Sequence, residues 1–203
     1  MSRIIALIDG FNVYHAIKHR RGWDRYKWLN YRKLASVFCR AKDTLEGVYY
    51  FTALATWLPD SVSRHRMLIR ALETEDVQVI YGKFKKKDRK CAICRKVYTA
   101  HEEKETDVNI ATHLFRLAVE DAFDVALIVS ADSDLVPAIK EARRTFPNKE
   151  FGVVVPPGQR AVELQQTADF HHKIRERHLT SSVFPEEIEL GSGGKLVRPT
   201  NWK

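Results

Sequence analysis

Three runs of consecutive apolar residues punctuate the chain: Ile4–Ile8, Val125–Val129 and Phe151–Val155. Strands apolar on successive residues are buried on both faces, the condition of a parallel sheet covered by helices on either side. Gly47–Leu54 and Val77–Tyr81 are weaker strand candidates. Between these runs the period changes to that of a helix. Residues 59–73 bring Val62, Ile69 and Leu72 near one stripe, and residues 107–120 do the same with Ile110, Ala111, Leu114, Leu117 and Ala118. Residues 135–145 form a third helical pattern, with Pro137 in the first turn, where a missing N–H costs little. Strands alternating with helices predict βαβ units, hence an α/β fold of three layers around a central, mainly parallel sheet. Ligands of such sheets bind beyond the carboxyl ends of the strands, so residues just after each apolar run carry the most interest.

Two stretches break the alternation. Gly82–His101 is rich in lysine and contains Cys91 and Cys94, and it reads as an insertion between a strand and the next helix. Pro185–Lys203 includes Gly-Ser-Gly-Gly and few apolar residues. The expected organisation is one domain over residues 1–180, with an insertion at about 82–101, and an irregular tail over 181–203 pinned by Trp202.

With 203 residues and 44% hydrophobic content, the chain can bury a real core, which argues against disorder. A net charge of +8 favours acidic partners, nucleic acid first. Three cysteines make no disulfide framework, and Cys39, alone in a helical pattern, is expected to be a buried thiol. The opening MSRIIALIDG reads as a strand rather than a signal peptide, and no apolar run approaches the roughly 20 residues that span a bilayer. A cytoplasmic protein without membrane attachment is the expectation.

Acids fall where ligands are expected. Asp9 directly follows the first strand, in IDGFN, and Asp132 and Asp134 follow another, in IVSADSD. Asp107 opens a helix in EKETDVNIATHLF. Each has an ordinary alternative: a turn at Asp9–Gly10, an N-cap at Asp132, Ser133 or Asp134, and a favourable helix-dipole position at Asp107 with Thr106 as N-cap. Gathered together, these carboxylates would repel one another unless a hard divalent cation such as Mg²⁺ or Mn²⁺ neutralised them. Asn12, one helical turn after Asp9, can face the same place, and Ser130 or Ser133 can hydrogen-bond a phosphate or a ligand carboxylate.

IDGFN after the first strand, the ETDVNIATHL helix and IVSADSD before a further helix together resemble the NYN-domain family, a branch of the PIN-like metal-dependent nucleases. The resemblance runs from about Met1 to about Ile174. It implies a Rossmann-like fold and an endo- or exonuclease acting on single-stranded or structured RNA through Mg²⁺ or Mn²⁺. It places catalytic and metal-binding roles on Asp9, Asp107, Asp132 and Asp134, with Asn12 as the partner of Asp9. A non-catalytic RNA-binding or scaffold protein that retains a metal site is the alternative.

The insertion carries chemistry of its own. Cys91 and Cys94 have the C-x2-C spacing of half a tetrahedral Zn²⁺ site, with His101 as a candidate third ligand, His65 or Cys39 as further candidates, or a homodimer supplying a second pair. Lys83, Lys85, Lys86, Lys87, Arg89 and Lys90 form a basic flap suited to a phosphate backbone. A second basic stretch, Lys18 to Lys27, interleaves Trp23, Tyr26 and Trp28, which are expected either to stack on bases or to anchor the core.

Overall fold

Alternate residues of the first strand face opposite cores, and that division sets the architecture. In the computed structural model, which describes residues 1–191 and 193–202, β1 (Arg3–Asp9) sends Ile4, Ala6 and Ile8 to one side and Ile5 and Leu7 to the other. The chain then runs through α1 (Gly10–Lys18), α2 (Tyr31–Ser36), β2 (Thr44–Thr52), α3 (Pro59–Glu73) and β3 (Val77–Tyr81). An inserted pair, β4 (Lys83–Lys90) and β5 (Val97–Lys104), precedes α4 (Thr106–Val119) and β6 (Val125–Val129). The remainder is α5 (Val136–Thr145), β7 (Glu150–Val155), α6 (Val162–Thr167), β8 (Phe170–Lys173), α7 (Glu176–Ser181), β9 (Glu187–Glu189) and β10 (Lys195–Val197).

Six strands pair in parallel in the order β3-β2-β1-β6-β7-β8. Val13 and Ile17 of α1, Leu34 of α2, Leu68 and Leu72 of α3 and Leu179 of α7 pack on one face. Ile110 and Leu114 of α4, Ile139 of α5 and Leu164 of α6 pack on the other. This is the three-layer α/β fold with a parallel sheet. Each fully buried aliphatic residue of β1 contributes about 1.5–3 kcal/mol, so a polar substitution at Leu7 attacks the layer interface itself. The chain steps outward from β1 to β3, then returns on the far side of β1 as β6. The carboxyl ends of β1 and β6 therefore flank the topological switch point.

The insertion is an antiparallel ribbon: β4 pairs with β5 from Lys83↔Lys104 to Lys90↔Val97. At its neck, a Cβ on Gly82 would lie 2.7 Å from the Lys104 carbonyl oxygen, so the two chain segments meet only because that residue is glycine.

One expectation is corrected here, and one open alternative is decided. The tail is not irregular: β9 and β10 pair antiparallel, with Lys195 bridging to Glu187 and Glu189 across the strands. Leu196 and Trp202 are buried, and the Trp202 ring lies 6.3 Å from that of Trp28. Tyr26 and Trp28 belong to the core and offer no face for a base; the Trp28 indole N–H donates to the Pro185 carbonyl at 2.8 Å. Their basic neighbours lie over aromatic faces, Arg20 over Trp23 and Arg25 over Tyr26. Among the described residues, no helix is long and apolar enough to cross a membrane.

Candidate active site

β1 ends on Asp9 and the backbone turns at once into α1. Asp9 caps that helix, its Oδ1 accepting the N–H of Asn12 at 3.0 Å. Its Oδ2 accepts the hydroxyl of Ser130, just past β6, at 2.9 Å. The Ser130 Oγ accepts the N–H of Asp132 at 3.0 Å, and the Asn12 side-chain oxygen accepts the N–H of Ala131 at 3.1 Å. The two strand ends at the switch point are thus laced together by short polar contacts. Close approach is needed on the other side too: a Cβ on Gly10 would meet the Tyr50 ring at 2.6 Å.

The electrostatics show which acids share a field. Asp9 is only 4% exposed, and burial raises its carboxyl above the ordinary value. The bonds from Asn12 and Ser130 oppose that rise, while the charges of Asp132 and Glu103 add to it. Asp107, in the first turn of α4, is pushed up to about 6, by burial first and then by the charges of Asp132, Asp9, Glu103 and Asp134. The charges of Asp9, Asp132 and Asp134 therefore all reach Asp107, and that of Asp132 also reaches Asp9.

Of the capping roles expected, one holds and one does not. Asp132 is the residue that caps the short turn over Ser133–Leu135, accepting the Asp134 N–H at 3.0 Å, while Asp134 is exposed. Thr106 is not the N-cap of α4 but its first residue. Glu105 precedes it at φ +80° and pairs with Lys83, and Glu103 accepts both the N–H and the hydroxyl of Thr106. Glu103 is the acid that sequence reasoning missed. It sits in a charged strand without an apolar run to mark it, and only the fold of the ribbon brings it to the others.

The donor set fits a hard divalent cation in kind, since every group is a carboxylate or amide oxygen and the acids destabilise one another's charged forms. Among the described residues, no three His, Cys, Asp or Glu side chains are spaced to cage an ion by themselves. Mg²⁺ does not require that: it binds through one or two carboxylates and fills its shell with water and phosphate oxygen.

Cys91 and Cys94 lie in the turn at the ribbon's tip. The backbone N–H groups of Cys94 and Ile93 and the Cys94 thiol hold the Cys91 thiol below its ordinary value. His101 does not join them. It pairs with Lys86, five residues down the strand from Cys91, about 17 Å away at 3.4 Å per residue, and stacks on Trp57 with ring centroids 3.6 Å apart. Cys39 packs against the core, where burial raises its thiol, and His65 is bound up with Thr52 and Tyr50. Lys83, Lys85, Lys86, Lys87, Arg89 and Lys90 are all exposed along β4, but Lys87 and Arg89 pair with Glu102.

An open parallel α/β sheet flanked by helices on both faces is a Rossmann-like fold of the PIN-like kind. Residues 3–175 match the NYN domain, and the chain belongs to that family. It is 30% identical to a Pseudomonas putida (strain DSM 28022 / S16) protein named 6-hydroxy-3-succinoylpyridine 3-monooxygenase HspA, over 96% of this chain and 73% of that one. A crystal structure from Vibrio parahaemolyticus RIMD 2210633, the protein VPA0982 of unknown function, superposes with a TM-score of 0.61 at 18% identity. That likeness covers 90% of this chain and 96% of the other, and it concerns the fold.

Proposed function

We propose that the protein is a metal-dependent ribonuclease whose acid cluster at the β1/β6 switch point hydrolyses RNA phosphodiester bonds. The observation that carries this reading is the placing of Asp9, Asp132 and Asp134 close enough to raise the Asp107 carboxyl, with buried Asp9 held in place by Ser130 and Asn12. Membership of the NYN family, in the PIN-like nuclease superfamily, supports it. One or two of Asp9, Asp107 and Asp132 would hold Mg²⁺ or Mn²⁺, with water and phosphate oxygen completing the shell and Asp134 at the exposed rim. When bound, such an ion supplies a more acidic attacking water and neutralises phosphate charge. Asp9 keeps one geometry because both its oxygens are engaged. Asn12 and Ser130 position it and the Asp132 loop. Asp107, whose carboxyl burial and the neighbouring acids raise to about 6, is the group that a bound cation would relieve most.

Purified protein should cleave mixed RNAs when Mn²⁺ or Mg²⁺ is added. Asp9→Asn and Asp132→Asn should each lower the rate at least about a hundredfold, the scale of losing one group that stabilises the transition state. RNA bound but uncut by the folded wild type under both metals would favour the scaffold alternative. Undiminished cleavage by the double variant would remove the acids from the mechanism. A second reading, chemistry on a small nitrogen heteroaromatic as in the name of the P. putida relative, is favoured by a ring-lined cavity beside the acids. Turnover of a hydroxypyridine with O₂ and a reduced nicotinamide, in protein that leaves RNA intact, would decide for it.

A further inference from the structure

Next to the acid cluster lies a cavity of about 690 Å³, bounded by α1, the carboxyl end of β2, α3, the ribbon and the tail. Its volume falls within the roughly 300–1,000 Å³ typical of ligand sites. Gly10, the neighbour of Asp9, and Glu103 line it, so it adjoins the acid cluster, while the four aspartates themselves lie outside its lining. Much of the remaining wall is aromatic. Tyr31 and Tyr50 stack with centroids 4.9 Å apart, and Phe84 stands edge-on to Phe11 at 5.5 Å. His101 lies on the cavity wall with its Nε2 buried and, among the described residues, without a hydrogen-bond partner.

The polar groups are few and sorted by depth. Inside, His65 shares its Nε2 with the Thr52 hydroxyl at 3.2 Å, and burial lowers this histidine to about 4, so it is a neutral imidazole at physiological pH. On the α1 side are cations: the ammonium groups of Lys18 and Lys27 stand 5.8 and 5.9 Å from the Tyr14 ring centroid, Lys27 being paired with Asp24. Arg64 joins them in the lining. Aromatic walls, neutral hydrogen-bonding groups and nearby cations suit a planar ring that carries an anionic group.

We propose that this cavity binds a planar nitrogen heteroaromatic ring, with its attached phosphate or carboxylate held by the Lys18–Lys27 side. The proposal rests on the nuclease reading for one source of that ring, an unstacked RNA base adjoining the bond to be cut. The other source is a free heteroaromatic acid. Extruding a base exposes both of its faces, and aromatic side chains accept such a base with little regard to sequence.

The test is binding without metal, so that it does not depend on cleavage. Full-length protein in chelator is titrated with adenosine and uridine 5′-monophosphates, with a pyridine carboxylate, and with ribose 5-phosphate as the ringless control. Quenching of tryptophan fluorescence, from Trp57 beside the ribbon and Trp202 in the lining, gives the readout. At least one ring ligand should saturate, at an affinity about tenfold or more above ribose 5-phosphate, the scale of one base–aromatic stack. Tyr14→Ala should lose about that factor, and Ser61→Trp, which fills the mouth from a half-buried position, should abolish the signal. Each variant is first checked for an unchanged thermal melt, and Phe84→Leu replaces any that fails to fold. Preference for the nucleotides assigns the cavity to an RNA base, and preference for the pyridine assigns it to a small molecule. Equal binding of ribose 5-phosphate, no saturable ring binding, or full affinity in the folded variants overturns the proposal. RNA cleavage that persists in Ser61→Trp would sink the cavity's role in that reaction while leaving the acid cluster standing. Ring binding in a protein that cuts no RNA would do the reverse.

Discussion

Asp107 concentrates the conflict built into the acid cluster. Its carboxyl is raised from an ordinary value of 3.8 to about 6, so the folded protein holds a proton there that the unfolded chain has released. The stability linked to that proton is complete below about pH 4 and is lost as pH rises through about 6. In chelator, the wild type should therefore weaken over that window. Asp107→Asn, which cannot ionise, should be more stable than wild type at pH 7.5 by about 1–2 kcal/mol, after discounting a half-exposed group for solvent screening. Buried His65 works in the opposite sense: its value near 4 means stability is lost as pH falls from about 6.5 through 4. The comparison of variant with wild type, rather than either melt alone, isolates Asp107. Added Mn²⁺ should reverse the order, raising the wild-type melting temperature and not that of the variant. Parallel pH profiles for both proteins would place the repulsion elsewhere. At this scale, Asp9, Asn12 and Asp132 were legible in the sequence because each follows a strongly apolar run that fixes which end of the sheet it occupies. Tyr31, Tyr50 and His65 were not, because the residues that surround them come from separate elements and no local period announces them.

The ribbon divides its own charges. Residues directly opposite in an antiparallel pair point to the same face. One face therefore carries Phe84, Lys86, Asp88 and Lys90 with Glu103, His101, Thr99 and Val97. Phe84, His101 and Glu103 line the cavity, so this face is turned towards the site. The other carries Lys83, Lys85, Lys87 and Arg89, and three of these four are paired with Glu105 or Glu102. Lys86 is thus the lysine of the flap best placed to meet a phosphate at the acids. For a short single-stranded RNA in chelator, Lys86→Ala should lower the slope of log affinity against log salt by about 0.7, the value of one released counterion. Lys87→Ala should change it little. Fluorescence anisotropy across a salt series measures both, and equal losses would show that the ribbon does not bind by one face. Sequence reading located the insertion and its charge but not its two strands. Charged residues alternating with charged residues leave no hydrophobic period, and the pairing depends on a turn at Cys91–Cys94 and a neck that only Gly82 permits.

Across the whole molecule, the sheet was the most legible feature, since doubly buried strands and intervening amphipathic helices leave few alternatives. Trp202 pins the tail as expected, on Trp28, but β9 and β10 were missed because three-residue strands separated by a glycine-rich turn carry almost no signal. The same view of the molecule constrains the metal at the ribbon tip. A structural zinc site needs four ligands, and one chain offers two thiolates there, with His101 committed some distance down the ribbon. Zinc at Cys91 and Cys94 therefore requires a second copy, and the two properties stand or fall together. Protein purified without chelator or affinity tag should show either half a zinc per chain in a dimer or no zinc at these thiols. Elemental analysis beside light scattering distinguishes these outcomes, and one zinc per monomer would refute the two-chain site. In a zinc-bridged dimer, Cys94→Ser should release monomers and leave the affinity for a short oligonucleotide unchanged. Its affinity for an RNA long enough to reach both acid clusters should fall by about a hundredfold, because the second contact is then no longer intramolecular.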